Sequence, residues 1–437
     1  MRYYVTDFGA KSDGSICTEQ IQKAVDECYL AGGGEVIIPA GKFLTGCIRL
    51  RSNITLHLME DAVLMGSINP EDYLTYLNDK IEPITEEERL KTVDSVMPQS
   101  QGSRSAQPHS RWNNAILRAI NAQNIAIIGE KNSAIDGQNC YDENGEENYR
   151  GPHGINMWFC KNIKLSGYTI KDCGNWAHAI HNSSDIRVED IMVLGGHDGF
   201  DARTCDNIAI ESCEFYTGDD AIAGFDNINV NIRNCKLNSS CSAMRFGGTN
   251  VLVENCTTVS PNKYGFRGNL SLEQKKVREK TNETCRHNCI NGFLYYCDYR
   301  ARVRETPGNI LIRNCKFVNV DAAFSHPFGH RWVCNRALDN ILFEDCTFEG
   351  VCSPIKINCP DNEPLTFKMK NCTISARKGS GDIAVAEAIN FRDMIFENVK
   401  LSGYGNAKII CYSAGNISFV NSTPMIVEKV EKIVDEQ

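Results

Sequence analysis

The chain alternates apolar and polar residues in short stretches that recur along most of its length. Each opens on Asn or Asp, continues as an alternating apolar run and often closes on Asn-Cys. Examples are NITLHL from Asn53, NIAIIG from Asn124, NIKLSG from Asn162, DIRVED from Asp185, NIAIESC from Asn207, NVNIRNC from Asn229 and NVLVENC from Asn250. Later copies are NILIRNC from Asn309, NILFEDC from Asn340 and KMKNC ending at Cys372. Strict alternation over four to six residues is the signature of a half-buried strand. In the central block the openings at 162, 185, 207, 229 and 250 are 23, 22, 22 and 21 residues apart. That period is too short for a helix pair and suits a coil of three short strands. Stacked coils bury a continuous core and place equivalent positions above one another. The expected fold is all-β, a single-stranded right-handed parallel β-helix.

Stacking gives the recurrent residues structural roles. The opening Asn of each copy can satisfy backbone groups at a turn and is expected to form a ladder. Cys213, Cys235, Cys256, Cys315, Cys346 and Cys372 share the position after the strand and are expected as a buried column of reduced thiols, which behave as small apolar groups. The first coil differs. Residues 18–31, TEQIQKAVDECYLA, have helical spacing with Ile21, Ala24, Val25 and Cys28 on one face. Thr18 is the expected N-cap, Gly32-Gly33-Gly34 the stop, and the helix an N-terminal cap on the solenoid. Two polar excursions, 66–113 and 262–308, break the rhythm. They read as loop insertions on one side of the repeat, so residues 1–437 are expected to be one β-helix domain.

Composition adds limits. The formal net charge is −9 and the pI about 5.6, so a nucleic-acid partner is not expected. No stretch approaches the ~20 apolar residues of a membrane span. The opening MRYYVTDFGA has no apolar run of signal-peptide length, and 21 cysteines are spread along the chain. A reducing, cytoplasmic location is the expectation. Cys285, His287, Cys289 and Cys297 lack zinc-site spacing, so neither metal nor cofactor is expected.

The chemistry gathers in Gly195–Phe225. Asp198 precedes Asp219 by 21 residues, about one coil, and Asp220 follows directly. Stacking is expected to bring the three carboxylates together on the surface, roughly one strand spacing (~4.8 Å) apart along the axis. Like charges so close push one pKa up and leave an acid beside a base, the pair that glycosidic cleavage needs. A calcium site or solvated turn aspartates would produce the same pattern.

These residues resemble the polygalacturonase family, glycoside hydrolase family 28. The resemblance runs to about residue 270 through VTDFGAKSDG, AGGGEVIIPAGKFLTG, RLRSNITLHLMEDAVLMGS, AIDGQ and the stretch from Arg150 through Trp176. HDGFD supplies Asp198 at the family's Asn-Thr-Asp-Gly motif, and Gly218-Asp219-Asp220 matches its Gly-Asp-Asp. The resemblance implies Asp219 as general acid, Asp198 and Asp220 as holders and activators of water, and inversion at the anomeric carbon. In GFRGN, Arg267 stands at the family's arginine and Asn269 at its lysine, while CSAMRF at 241–246 lacks the family's histidine. Arg245 is a candidate replacement there. His197, His181, Trp176 and Tyr264 are further substrate-binding candidates. His178, Arg300, Arg302, Arg304, His326, His330 and Trp332 are less specific ones.

The resulting expectation is an inverting, exo-acting glycoside hydrolase on short oligosaccharides, galacturonides first. A glycosidase of the same fold on a neutral sugar, a β-helix uronate lyase or epimerase, and an inactive binding solenoid are the alternatives.

Overall fold

Alternating residues form strands because every second side chain reaches a shared apolar core. The computed structural model describes residues 1–78, 111–277, 285–297, 303–328, 336–405 and 407–430. They divide into two compact units, Met1–Asp219 with Lys263–Arg286, and Asp220–Asn262 with His287–Gln437. Both are coils of a right-handed parallel β-helix, as the repeat predicts.

In the first unit, three courses of parallel strands alternate along the chain. One runs through Gln123–Gly129, Lys161–Ser166, Ser184–Glu189 and Asp206–Glu211, with Ile125, Ile163, Ile186 and Ile208 stacked in register. A second runs through Ala134–Asp136, Thr169–Lys171, Met192–Gly195 and Glu214–Thr217. The third, Ala115–Ile120, His153–Trp158, His178–His181 and Phe200–Arg203, carries most of the candidate chemistry. In the second unit, Ile222–Arg233 pairs with Ser242–Glu254, which in turn pairs with both Asn291–Tyr295 and Gly308–Arg313. Its core is rich in stacked aromatic rings, such as Phe317 on Phe348 with centroids 5.0 Å apart.

The helix Thr18–Leu30 buries Ile21, Ala24, Val25 and Cys28, the face that its spacing predicts. Thr18 differs from its expected role. It is the first helical residue, and its hydroxyl accepts the Gly46 N–H at 2.7 Å, so it ties the helix to the first coil instead of capping it. The helix ends at Leu30 with its cap at Ala31, Gly32 turns the chain at φ 95°, and at Gly33 (φ 108°) a Cβ would lie 2.4 Å from the Asn53 carbonyl oxygen.

The Asn ladder is present and has a second reason behind it. Asn53, Asn124 and Asn162 have φ between 56° and 61°, a left-handed conformation that asparagine tolerates better than most residues. Their amides bond in series, Asn162 to Asn124 and Asn124 to Asn53, each at 2.8 Å. A second ladder uses the residue before the Cys: Asn314 donates to Asn255 at 2.7 Å and Asn371 to Asp345 at 2.9 Å, and Asn398, before Val399, continues it by donating to Asn371 at 2.9 Å. The sequence displays this Asn-Cys pair openly, but its asparagine had no assigned role. The cysteines behave as expected. Cys256, Cys315, Cys346 and Cys372 are buried free thiols, and Cys213 and Cys235 donate to the Glu211 and Arg233 carbonyls.

Of the two polar excursions, Pro70–Asn78 is a 3-10 turn, and Ser271 caps the short helix Leu272–Lys275. Residues 79–110, 278–284 and 298–302 lie outside the described residues. No described helix is long and apolar enough to cross a membrane.

Candidate active site

In the first unit the site is built where two turns stack. Gly195 pairs with Thr217, and the Gly218 N–H donates to the Gly195 carbonyl at 2.8 Å. The local repeat is therefore 22 residues, so continuing the register sets His197, not Asp198, level with Asp219. The glycines at this crossing are there for space. A Cβ on Gly218 would stand 2.2 Å from the Gly265 carbonyl oxygen, and one on Gly196 would stand 2.0 Å from Arg267 Nε. Arg267 thus lies directly over the turn that carries His197 and Asp198.

Asp198 is only 3% exposed and Asp219 is half-buried, so the expectation of a surface cluster fails for Asp198. The turn folds inward beneath Arg267 instead of projecting into solvent. Asp219 faces Arg150, whose Nη2 is 3.6 Å from its Oδ2. Arg150 is itself buried; it donates to Asn175 Oδ1 and meets Glu147, each at 3.2 Å. Asn175 passes the connection on by donating to Glu146 Oε2 at 3.1 Å. Burial pushes the Glu146 carboxyl up to about 8, against the pull of Arg150. The sequence singled out neither Glu146 nor Arg150 as a site residue. Arg150 was visible only as the start of the family-like stretch that ends at Trp176.

His197 does not act on Asp198 as a cation. Its Nε2 meets Arg267 Nη1 at 2.9 Å and its ring lies 5.9 Å from that of Tyr149. Burial, followed by the charges of Arg150 and Arg267, holds it well below the usual histidine range. It is neutral and accepts from Arg267. Trp176 is buried, with the Arg203 guanidinium 4.6 Å from its ring centre. Arg203 in turn pairs with Asp201 at 2.7 and 3.1 Å. His181 stacks on Trp158 at 4.2 Å and burial also keeps it neutral. Tyr264 is half-exposed beneath the Lys263 ammonium, which is 5.4 Å from its ring centre. Arg150, Arg203 and Arg267 therefore give this unit a cationic lining over aromatic and neutral imidazole rings, beside a carboxylate that water can reach.

In the second unit, Asp220 is buried. Its Oδ1 accepts the Ser242 N–H at 3.1 Å and its Oδ2 accepts from Arg245 Nε. Arg245 lies over Tyr296 at 4.4 Å. The substrate-binding role expected for Arg245 thus competes with an ion pair that it already makes. Arg304 is likewise engaged: its Nε donates to Asp226 Oδ2 at 3.0 Å and its Nη2 to the Asp226 carbonyl at 2.7 Å. His326 stacks on Tyr295 at 4.8 Å and bonds the Asn358 carbonyl at 3.1 Å, a core role. His178 has one too, between Tyr168 and the Gly199 carbonyl. In the Cys/His run, His287 bonds the Asn262 carbonyl at 2.8 Å and the buried Cys289 thiol donates to Asn291 at 3.2 Å. Arg300, Arg302, His330 and Trp332 lie outside the described residues.

Residues 87–259 match the family model for glycosyl hydrolases family 28. The turns carrying His197–Asp198 and Gly218–Asp219 both lie inside the family 28 match, whereas Arg267 lies beyond its end. A probable polygalacturonase of Vitis vinifera is 29% identical over 243 residues, covering 52% of this chain and 45% of that protein. An exo-poly-alpha-D-galacturonosidase of Dickeya chrysanthemi is 25% identical over 248 residues, covering 50% of this chain and 41% of that protein. The alignments thus span less than half the length of these relatives. A hyperthermoactive exopolygalacturonase of Thermotoga maritima superposes over 92% of both chains with a TM-score of 0.60 at 17% identity. The two chains share the fold.

Proposed function

We propose that the chain is a glycoside hydrolase that cleaves galacturonides, with Asp219 as the general acid. The observation that carries this reading is the placement of Asp219, half-buried and facing Arg150 in a lining that also holds Arg203 and Arg267. Such a lining favours a sugar that bears a carboxylate, because guanidinium groups bind carboxylates through charge-assisted hydrogen bonds. Neutral His197 leaves Arg267 its full charge for that purpose. The names of the relatives from Vitis vinifera and Dickeya chrysanthemi support the same substrate class.

The finer reading is inverting and exo-acting, on short oligosaccharides. Asp219 protonates the leaving oxygen while Asp198 activates water, and Asp220, the next residue after the acid, assists. Inverting chemistry places water between the base and the anomeric carbon. Asp220 is the weaker base of the two, because its charge is already shared with Arg245 and the Ser242 N–H. We place the enzyme in the cytoplasm, in keeping with the reduced thiols of Cys256, Cys315, Cys346 and Cys372.

The test is proton NMR of the products from short galacturonides, with wild type and Asp219→Asn in parallel and no added metal. The expected result is galacturonate released with inverted anomeric configuration, at a rate about 10²–10⁴-fold lower in the variant. An unsaturated product identifies a lyase instead. Equal rates for the two proteins remove Asp219 from the mechanism.

A further inference from the structure

In the second unit, the strands Lys236–Ser239, Thr257–Val259, Lys316–Val318, Thr347–Val351, Thr373–Ala376 and Lys400–Ser402 stack in one course, with their first residues in register. The residue before each strand is therefore stacked too. It is Cys235, Cys256, Cys315, Cys346 and Cys372 at five consecutive levels, and Val399 at the sixth. The backbone fixes these levels: the Cys256 carbonyl accepts the Lys316 N–H at 2.9 Å and the Cys346 carbonyl the Thr373 N–H at 3.1 Å. Stacking alone does not demand a thiol here. In the first unit the residues before the stacked strands Ala134–Asp136, Thr169–Lys171 and Met192–Gly195 are Ser133, Tyr168 and Ile191. Five thiols in succession, which glycosidic cleavage leaves unused, point to a chemistry of their own.

The thiols touch as well as stack. Cys256 is hydrogen-bonded to Cys235 and Cys315, and Cys346 to Cys315 and Cys372. The Cys256 N–H also donates to Cys315 Sγ at 3.4 Å. Each member of the column is at most 4% exposed, yet the residue directly before each is exposed, as at Asn255, Asn314 and Asp345. The column therefore runs one residue beneath the surface, within reach of a small ion. Each sulfur also lies against the carbonyl two residues back, 3.3 Å for Cys256 with Glu254 and 3.2 Å for Cys315 with Arg313. Those carbonyls accept the Asn234 and Asn255 N–H groups as well, at 3.1 and 3.2 Å, so removing a thiol proton orphans no acceptor. Thiolates select soft ions. Among the described residues no three of these thiols converge on one point, so the tetrahedral site that zinc takes does not form. Two thiols one level apart define a line instead. A first-row metal–thiolate bond is about 2.3 Å long, so an ion held linearly between two sulfurs spans about 4.6 Å, against the ~4.8 Å between strands. Charge selects the ion. Five thiols that release four protons to four monovalent ions stay neutral overall, and a dry column penalises any net charge.

We propose that this column is a binding site for copper(I), with each ion held linearly between thiolate sulfurs of adjacent coils and the inner thiolates bridging two ions. The site stands apart from the hydrolase reading and does not depend on it. It is tested by anaerobic titration of the reduced, full-length protein with copper(I) against a chromogenic copper(I) chelator, with wild type beside Cys315→Val and Cys352→Ala. Cys315→Val divides the column into two pairs, Cys235 with Cys256 and Cys346 with Cys372, and each pair has room for one ion. Valine already fills the same slot at Val399. The expected result is two fewer ions bound per chain in Cys315→Val and no change in Cys352→Ala, whose half-buried thiol lies outside the column. X-ray absorption at the copper edge is expected to show two sulfur neighbours per ion. If Cys315→Val lowers Tm, Cys315→Ser decides, because its hydroxyl can keep the bond to the Arg313 carbonyl, and it should lose the same two ions. Undiminished stoichiometry in the Cys315 variants, or three or four ligands per copper in wild type, overturns the site and leaves adventitious binding by other thiols.

Discussion

Gly196→Ala is a single-methyl test of how Arg267 is held. The new Cβ would stand 2.0 Å from Arg267 Nε and 2.5 Å from Cζ. Ordinary carbon contacts begin near 3.5 Å, so the guanidinium must retreat by more than an ångström. It has little room to do so, being only 6% exposed. The retreat breaks its 2.9 Å bond to His197. Overpacking of this kind costs about 1–3 kcal/mol, and a hydrogen bond to a charged group contributes about 1.5–3 kcal/mol. One movement produces both effects, so they overlap and the expected destabilisation is about 2–4 kcal/mol. That leaves a folded protein if its stability lies within the usual ~5–15 kcal/mol. If Arg267 also grips the substrate carboxylate, losing ~1.4 kcal/mol of that contact raises KM about tenfold. Gly195→Ala is the control, since its Cβ would meet only Asp172, at 3.5 Å and beyond. Urea unfolding and galacturonide kinetics on both variants provide the assay. If Gly196→Ala matches Gly195→Ala in both, Arg267 does not sit over this turn as described, and its assignment to the site falls with it.

Three further outcomes follow from buried titratable groups. Glu146, pushed up to about 8, holds a proton in the folded state that the unfolded chain has released above about 4.5. Its contribution to stability therefore falls as pH rises through that window, and Glu146→Gln should flatten this slope and unfold at higher urea than wild type at pH 9. His153 and His178 run the other way: burial lowers them to about 3 and about 4, so folding weakens as pH falls below 6.5, where the unfolded chain takes up their protons. Urea midpoints between pH 4 and 9 read both slopes. Arg245→Met strands the buried Asp220 carboxylate without its guanidinium and should cost about 3–5 kcal/mol. Adding Asp220→Leu should restore most of that stability, and failure of the double variant to recover would mean that Arg245 stabilises through Tyr296 rather than through Asp220.

The alternation of apolar residues, the Asn-opened repeats and the Gly-Asp-Asp turn were legible from the residues alone. Each depends on neighbours within a few positions or on a regular period, and a period fixes which side chains stack. The apolar faces, the thiol column, the asparagine ladder and the plugging helix followed from that and reappear in the structure. Partnerships across coils were not legible, because a period gives the level of a residue and not the direction of its side chain. A repeat read as 21 residues set Asp198 level with Asp219. The observed pairing of Gly195 with Thr217 makes it 22 and brings His197 there. Asp198 and Asp220 looked like surface carboxylates until the folded turns buried them. Arg150 carried no local signal, since a lone arginine before Gly-Pro resembles any turn, and only long-range packing brings it to Asp219. Tertiary structure likewise assigned Arg245 to Asp220, Arg304 to Asp226 and His326 to the core. Sequence determined the coil because burial of alternate residues is a local, repetitive demand. Only the tertiary structure decided which charges meet, because that depends on where loops of unequal length return.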